Sequence, residues 1–473
     1  MNAPRISPRS ALVLAACALL VLAFAPAQYF GRQEDDLMVF LAARALTLGR
    51  YCALTSPGCP AITMVSPLWP ALLAPLAAFC ERPGPFQAAA ALLLALTPVA
   101  VWAWLRRRTD ETTALLGAAL FASCPLVLAQ SGVLMTEVPF TGIFFVALVA
   151  SEDARASMTG VFAAALVLTR SAGLAVVPGL AAPFAGRKRW GPTTVVVLPA
   201  AFAFTAWTLW CRARTGTLGK LSIAAATYSG AGWSAPLRAV ARNARWYASE
   251  WGGCFLTPRL VDSGFSIALG AALGAASAYG LFRALRKRRD DPAACSLIGS
   301  VLVLAAWGWQ YERYLLPLIP LLVWTLALGL GRWAKPALWT LLALQLGAQT
   351  LPRLGRPGPW AEPELSRTYA WLAEQPTPAL LASTQPLRDS WHAGMAGTSL
   401  PDSATAAEFA DALKAGHVSF VLRVDGQDYG LSSDAKAPLR LRVETLYGFL
   451  DDGRFFRKLH DDAAEHAAVY APR

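Results

Sequence analysis

Long apolar segments that stop at clusters of arginine and lysine fill the first 351 residues of this chain. Few folds tolerate that alternation, and a polytopic helical membrane protein is the one it fits, because loops facing the cytoplasm carry an excess of Lys and Arg. The apolar segments run over residues 12–25, 86–105, 114–129, 138–150, 159–168, 172–185, 193–211, 264–282, 297–309, 315–330 and 336–351. Basic residues flank them at Arg5 and Arg9, at Arg106 to Arg108, at Arg187 to Arg189, and along Arg283 to Arg289. Only 15% of the chain is charged, against about 25% in soluble domains. The 17 Trp suit anchors at membrane–water interfaces. A formal charge of +12 would fit a nucleic-acid binder, but the basic clusters sit beside apolar spans and serve topology. No nucleic-acid partner is expected.

With the N-terminus inside, the first span delivers its following loop to the extracytoplasmic side. Residues 66–79 hold Pro67, Pro70 and Pro75. Three prolines make a poor spanning helix, so this segment is expected to lie on the outer surface. The next span then runs inward and ends at Arg106, Arg107 and Arg108. Continuing by the same rule gives about eleven spans, with a long outer segment of roughly 50 residues between 211 and 264, the kind of loop that is usually functional or disordered. The expected fold class is an all-α polytopic membrane domain, residues 1–351, followed by a small soluble α/β domain, residues 352–473, on the extracytoplasmic side. In that tail the run HVSFVLRV, 417–424, reads as a strand.

Cys52 and Cys59 share one short outer loop, CALTSPGC, and are either a disulfide that stiffens the loop or two free thiols. Most other cysteines lie in or near apolar segments, where a thiol behaves as a small hydrophobe. The chain has no C-x-x-C, no H-E-x-x-H and no phosphate-binding glycine loop, and only four His. A zinc site and an ATP-driven mechanism are therefore not expected.

Polar residues that interrupt apolar text carry the chemistry. Asp35 and Asp36 stand just after the first span in EDDLMVFLAARALTLGRY, which continues as an amphipathic helix. Its Leu37, Phe40, Leu41 and Leu48 are expected to lie on the membrane and hold Asp35 at the interface. Glu137, in LMTEVPF, either caps the next helix, with Thr136 and Pro139 beside it, or joins a site. Arg170, in VLTRSAGL, either snorkels to the interface or pairs with a carboxylate or phosphate. The segment WQYERYLLPLIPLL places Arg313 between Tyr311 and Tyr314, a planar donor fork among hydroxyls that suits a lipid phosphate. Its alternative is an aromatic belt with a charged turn.

These motifs, in this order, resemble those of GT-C glycosyltransferases, in particular the bacterial relatives of protein O-mannosyltransferases and of the aminoarabinose transferase that modifies lipid A. The resemblance covers roughly residues 11–351 and, more loosely, the tail. It implies that Asp35 is the catalytic base, with Ala43 and Gly49 at the family's spacing after it. It implies that Glu137 is the acidic residue of the second outer loop, and that Arg170 and the Arg313–Tyr314 pair belong to the substrate site. The chain departs from the family in its surface helix, which reads SPL where relatives often have two prolines. Family members take a sugar from a polyprenyl phosphate and invert the anomeric centre.

The residues fit that chemistry on their own terms. Sugar transfer from a lipid phosphate needs a base at the acceptor hydroxyl and cations at the departing phosphate. Asp35 supplies the base, Glu137 orients it or holds its pKa up through a like-charge contact, and Asp36 is secondary. Arg170, Arg313 and Tyr314 hold the phosphate, joined by Lys220 and Arg245 from the long outer segment. No cofactor is expected beyond the lipid-linked donor, and a divalent metal stays open. The expected partners are the membrane, a polyprenyl-phosphate sugar and an envelope glycan, lipid or protein acceptor. The expected location is a bacterial plasma membrane, with the site on its extracytoplasmic face. A transporter or lipid flippase is the main alternative, since broken helices and an intramembrane arginine also mark transport sites; a non-catalytic envelope protein is the third.

Overall fold

A computed structural model describes residues 6–25, 28–222, 235–257, 260–261, 263–307, 310–356, 361–426 and 437–473. Residues 223–234 of the long outer segment and 308–309, where one apolar segment was expected to end, lie outside them. The chain divides into two compact units. One comprises Met1–Ala27, Thr63–Leu76 and Arg82–Gly358; the other comprises Gln28–Ile62, Ala77–Glu81 and Pro359–Arg473.

The first unit is helical. Its helices are α1 Pro8–Ala23, then, after the second unit's α2 Glu34–Thr47, α3 Leu68–Ala77, α4 Gly84–Leu105, α5 Glu111–Ser123, α6 Pro125–Leu128, α7 Glu137–Glu152, α8 Ala156–Thr169, α9 Val177–Ala185, α10 Trp190–Thr215, α11 Ala235–Gly253, α12 Gly264–Lys287, α13 Pro292–Ala306, α14 Ile319–Leu330 and α15 Ala334–Gln345. By length and composition, four described stretches can cross a membrane: Gly84–Leu105, Trp190–Thr215, Gly264–Lys287 and Glu312–Arg353. Other apolar helices, including Pro8–Ala23, Ala156–Thr169 and Pro292–Ala306, are shorter. The chain is an integral membrane protein. Leu198, Phe202, Leu209, Phe282 and Leu302 are exposed on these helices, as side chains facing lipid would be.

At one end of the helices a buried ionic knot replaces apolar packing. Arg108 donates through Nε to Glu152 at 2.8 Å and through Nη1 to Asp291 at 3.0 Å. Its guanidinium also lies 4.6 Å from the centre of the Trp324 ring. Asp291 additionally caps α13, its Oδ1 accepting the N–H groups of Ala293 and Ala294 at 3.0 Å. Arg108 thus ties the ends of α4, α7 and α13 together. Arg106 pairs with Glu111 and Arg107 with Asp153.

The loop that enters α7 is fixed from two sides. Ser131 donates to the Val21 carbonyl at 2.7 Å, and Trp69 of the proline-rich α3 donates to the Leu134 carbonyl at 3.2 Å. α3 is a short helix of ten residues, as its prolines dictate.

The second unit carries α16 Ser366–Ala373, α17 Pro386–Ala393, α18 Ala406–Ala415 and α19 Ala437–Phe449 with a five-stranded sheet. Its strands are β1 Leu380–Ser383, β2 Ala396–Ser399, β3 Phe420–Val424, β4 Phe456–Asp462 and β5 Ala467–Pro472, ordered β2-β1-β3-β5-β4. β1 pairs parallel with β2 and β3, so helical crossovers join them, while β5 runs antiparallel to β3 and β4. Side chains alternate between two cores: Val421 and Tyr470 face one, Phe420, Leu422 and Val469 the other. The strand read at 417–424 forms over Phe420–Val424, because His417 sits at a positive φ that ends the preceding turn. Cys52 and Cys59 are bonded to each other, and the Thr55 carbonyl between them accepts the Gly397 N–H at 3.0 Å.

Arg108→Ala strands two buried carboxylates and is expected to destabilise the first unit by about 3–5 kcal/mol. Arg107→Ala, at a more exposed pair, is expected to cost about 1 kcal/mol or less. Denaturant unfolding in mixed micelles reads both; equal losses would show that the knot is not the anchor.

Candidate active site

Three helix interruptions in the first unit bring their polar residues to one point. The chain turns at Thr136 into α7, so Glu137 is the first helical residue. α8 ends at Arg170, which is extended (φ −152°, ψ 137°) before a 3-10 turn over Ser171–Ala175. Gly173 permits that fold-back, since a Cβ there would lie 2.6 Å from the Leu166 backbone. The third interruption is the 3-10 segment Glu312–Leu318, held out of α-helix by Pro317 and Pro320 before α14 begins.

At that point Arg170 Nη1 pairs with Glu137 Oε1, and Arg313 Nε lies 3.1 Å from the same oxygen. The three side chains are 4%, 12% and 11% exposed for Glu137, Arg170 and Arg313. Burying charges is tolerated only when they are paired, and here one carboxylate holds two guanidiniums. Arg170 stands 5.0 Å from the Tyr314 ring centre and Arg313 4.2 Å from that of Tyr311. The two tyrosines meet edge to face at 5.5 Å. Glu137 is therefore no mere cap: Thr136 makes no side-chain capping bond, and the carboxylate faces the arginines. Arg170 does not snorkel. Lys220, near the end of α10, adds its positive charge to the field at Glu137. Arg245 is exposed on α11 and, among the described residues, takes no part in the cluster.

Chemically, two permanent cations with planar donor forks, fixed by a shared carboxylate and aromatic faces, form a cradle for a phosphoryl or carboxylate group. α11 supports the third interruption. Its Asn243 is buried and bonds the end of α13, and its Tyr247 hydroxyl is buried beside the Tyr311 backbone. Neither residue stands out in the sequence.

The acidic run belongs to the second unit, where Glu34, Asp35 and Asp36 occupy the first turn of α2. Carboxylates there complement the helix dipole. Asp36 is 1% exposed and accepts the Gly31 N–H at 3.1 Å, which closes the turn before the helix. Asp35 is half-buried. Glu34, which the sequence did not single out, accepts the Leu387 N–H at 3.1 Å, at the first turn of α17. The face expected on the membrane is instead protein core. Leu37, Phe40 and Leu41 are buried, and only Leu48 of that set is exposed. Trp391 of α17 covers it, 5.4 Å from Phe40 and 5.8 Å from Phe30. Next to it, buried Arg388 donates to Asp389 at 2.9 Å and Tyr369 donates to the same oxygen at 2.7 Å. Among the described residues no group of three or more His, Cys, Asp or Glu is placed to hold a metal ion.

Solved structures share this architecture. ArnT from Cupriavidus metallidurans bound to undecaprenyl phosphate superposes with a TM-score of 0.55 at 12% identity, covering 98% of this chain and 97% of that one. The apo oligosaccharyltransferase of Archaeoglobus fulgidus gives 0.57 at 12% identity, over 88% of this chain and 69% of its own. The same organism's AglB, in complex with an inhibitory peptide and a dolichol-phosphate, gives 0.54 at 13%, over 87% and 69%. The chain has the fold of these structures. No family model matches the chain, and no curated protein matches it in sequence. The likeness is one of fold; what this chain does chemically rests on the side chains described above.

Two outcomes follow from the geometry. Glu137→Gln leaves two buried guanidiniums without their shared anion and is expected to destabilise the chain by about 3–5 kcal/mol, read by unfolding in micelles; a neutral result would mean the arginines are solvated. The second concerns Glu34, whose carboxyl burial pushes up to about 7, with Asp389 and Asp35 adding to the shift and the Leu387 N–H and Arg388 opposing it. Between its ordinary 4.5 and about 7 the folded chain keeps a proton that the unfolded chain has released. This group's contribution to stability therefore falls as pH rises through that window. Glu34→Gln is expected to match the parent near about pH 4 and to exceed it near about pH 8, by thermal unfolding. Parallel pH profiles would contradict the assignment.

Proposed function

We propose that this chain is a membrane glycosyltransferase that moves a sugar from a polyprenyl-phosphate-linked donor to an acceptor on the extracytoplasmic side. The observation that carries the reading is the convergence of Arg170 and Arg313 on buried Glu137, with Tyr311 and Tyr314 around them. The GT-C fold supports it, and so do solved relatives that hold undecaprenyl phosphate or dolichol-phosphate.

In the proposed reaction Asp35 takes the proton of the acceptor hydroxyl. The acceptor oxygen attacks the anomeric carbon from the face opposite the phosphate, forming the glycosidic bond with inversion. The bond from that carbon to the phosphate oxygen breaks, and the phosphate leaves with the electron pair. Arg170 and Arg313 stabilise its growing charge, with Tyr314 and Lys220 as further contacts; Arg245, exposed on α11, is left out of the site. Glu137 holds the two guanidiniums in place, and Asp36 shapes the turn in front of the base. The energy resides in the donor's phosphoester bond, so no nucleotide is consumed. The proposal includes about eleven membrane spans over residues 1–351, an extracytoplasmic domain over residues 352–473, and residence in a bacterial plasma membrane. The acceptor is an envelope glycan, lipid or protein.

Release of polyprenyl phosphate from a panel of water-soluble short-chain donors, by the purified chain with envelope extract, tests this reading. Asp35→Asn is expected to lower turnover about 10²–10⁴-fold, the size of a missing general base. Arg313→Ala is expected to weaken donor use, and Arg313→Lys to restore it only in part, because the planar fork is lost. Full activity in Asp35→Asn with loss in Asp36→Asn moves the base by one residue; full activity in both sinks the transferase reading.

A further inference from the structure

The long outer segment carries one residue whose bonding far exceeds what helix packing needs. Asn243 lies on α11 with no exposed surface. Its neighbours Arg238, Arg242 and Arg245 make this stretch strongly basic, and a buried amide among them is costly unless fully bonded. Asn243 Nδ2 donates to the carbonyls of Leu304, Ala305 and Trp307 at 2.9, 3.0 and 2.7 Å. Its Oδ1 accepts from Gln310 Nε2 at 3.0 Å. The last carbonyls of a helix have no partner within it, and here a side chain from another helix takes them. The two hydrogens of the amide nitrogen meet three carbonyls, one hydrogen being shared between two of them, and only the nitrogen can face those oxygens, which fixes the side chain's orientation.

The place of this clamp is the point. α13 ends at Ala306, the chain turns extended at Trp307, and Gln310 comes three residues before Arg313. Tyr247, one turn after Asn243 on the same helix, brings its hydroxyl to the Tyr311 backbone. α11 thus holds Trp307 and Gln310, described residues ahead of Arg313 and Tyr314, through Asn243.

We propose that Asn243 is a positioning residue for the donor-phosphate site: by holding the end of α13 and Gln310 it aims the Arg313 fork, and through it α11 controls affinity for the phosphate. The inference rests on the reading of Arg170 and Arg313 as the phosphate cradle. Asn243→Asp keeps the shape, removes the donor and sets a carboxylate against three carbonyl oxygens. Gln310→Ala removes only the bond onto Oδ1.

Binding of a water-soluble short-chain polyprenyl monophosphate to the full-length chain in detergent, followed by calorimetry, separates the possibilities. Asn243→Asp is expected to raise Kd roughly 10–100-fold, as when hydrogen bonds that orient a ligating side chain are lost. Gln310→Ala is expected to raise it less. In an Arg313→Ala background the Asn243→Asp change should add almost nothing, because both act through one side chain. A merely structural role would leave the two effects additive. Weakened binding in Arg313→Ala with unchanged binding in folded Asn243→Asp overturns the inference while the phosphate reading stands. Unchanged binding in Arg313→Ala removes the phosphate reading, and this inference with it. Should Asn243→Asp not fold, Gln310→Ala decides on the same terms, since unchanged binding there, beside weakened binding in Arg313→Ala, overturns the clamp.

Discussion

A single carboxylate shared by two buried guanidiniums is the constraint around which the first unit is arranged. Glu137, Arg170 and Arg313 come from three separate helix ends, and none of the charges is tolerable in that setting without the others. Each helix is broken where it must be: by an extended residue and Gly173 after α8, by Pro317 before α14 and Pro320 in its first turn, and by a loop pinned through Val21 and Trp69 before α7. Broken helices are stable only when the freed backbone groups find partners. Asn243 meets that demand at the end of α13.

The second unit applies the same economy to the acidic helix. Three consecutive carboxylates repel one another, yet each meets a different environment. Asp36 closes a turn onto Gly31, Glu34 takes the Leu387 N–H, and Asp35 stays half-buried. The tail is thus more than an appendage. Its α17 supplies both the amide that receives Glu34 and the indole that covers the apolar face of α2.

Much of this was legible in the sequence, for physical reasons. Arginine clusters beside apolar runs read out the helices, and polar residues interrupting apolar text marked Glu137, Arg170 and Arg313 because such interruptions are costly. Other features could not be read. Leu37, Phe40 and Leu41 look alike whether they meet lipid or Trp391, since an apolar stripe does not name its partner. Asn243 sits in a basic helical stretch where a lone amide looks like an ordinary surface residue; only the carbonyls it meets, more than 60 positions away, reveal it. Of the five strands one was visible: Phe420–Val424 is rich in β-formers, whereas Leu380–Ser383 and Ala396–Ser399 are four residues each and carry no pattern.

The claim that most needs a direct look is that the arginine pair reads a phosphate. Cryo-electron microscopy of the full chain in lipid nanodiscs, saturated with undecaprenyl phosphate, answers it. The account predicts phosphate oxygens within hydrogen-bond distance of both Arg170 and Arg313, with Glu137 still bracing the guanidiniums from behind. A phosphate bound elsewhere, with both arginines engaged only by Glu137, would contradict it.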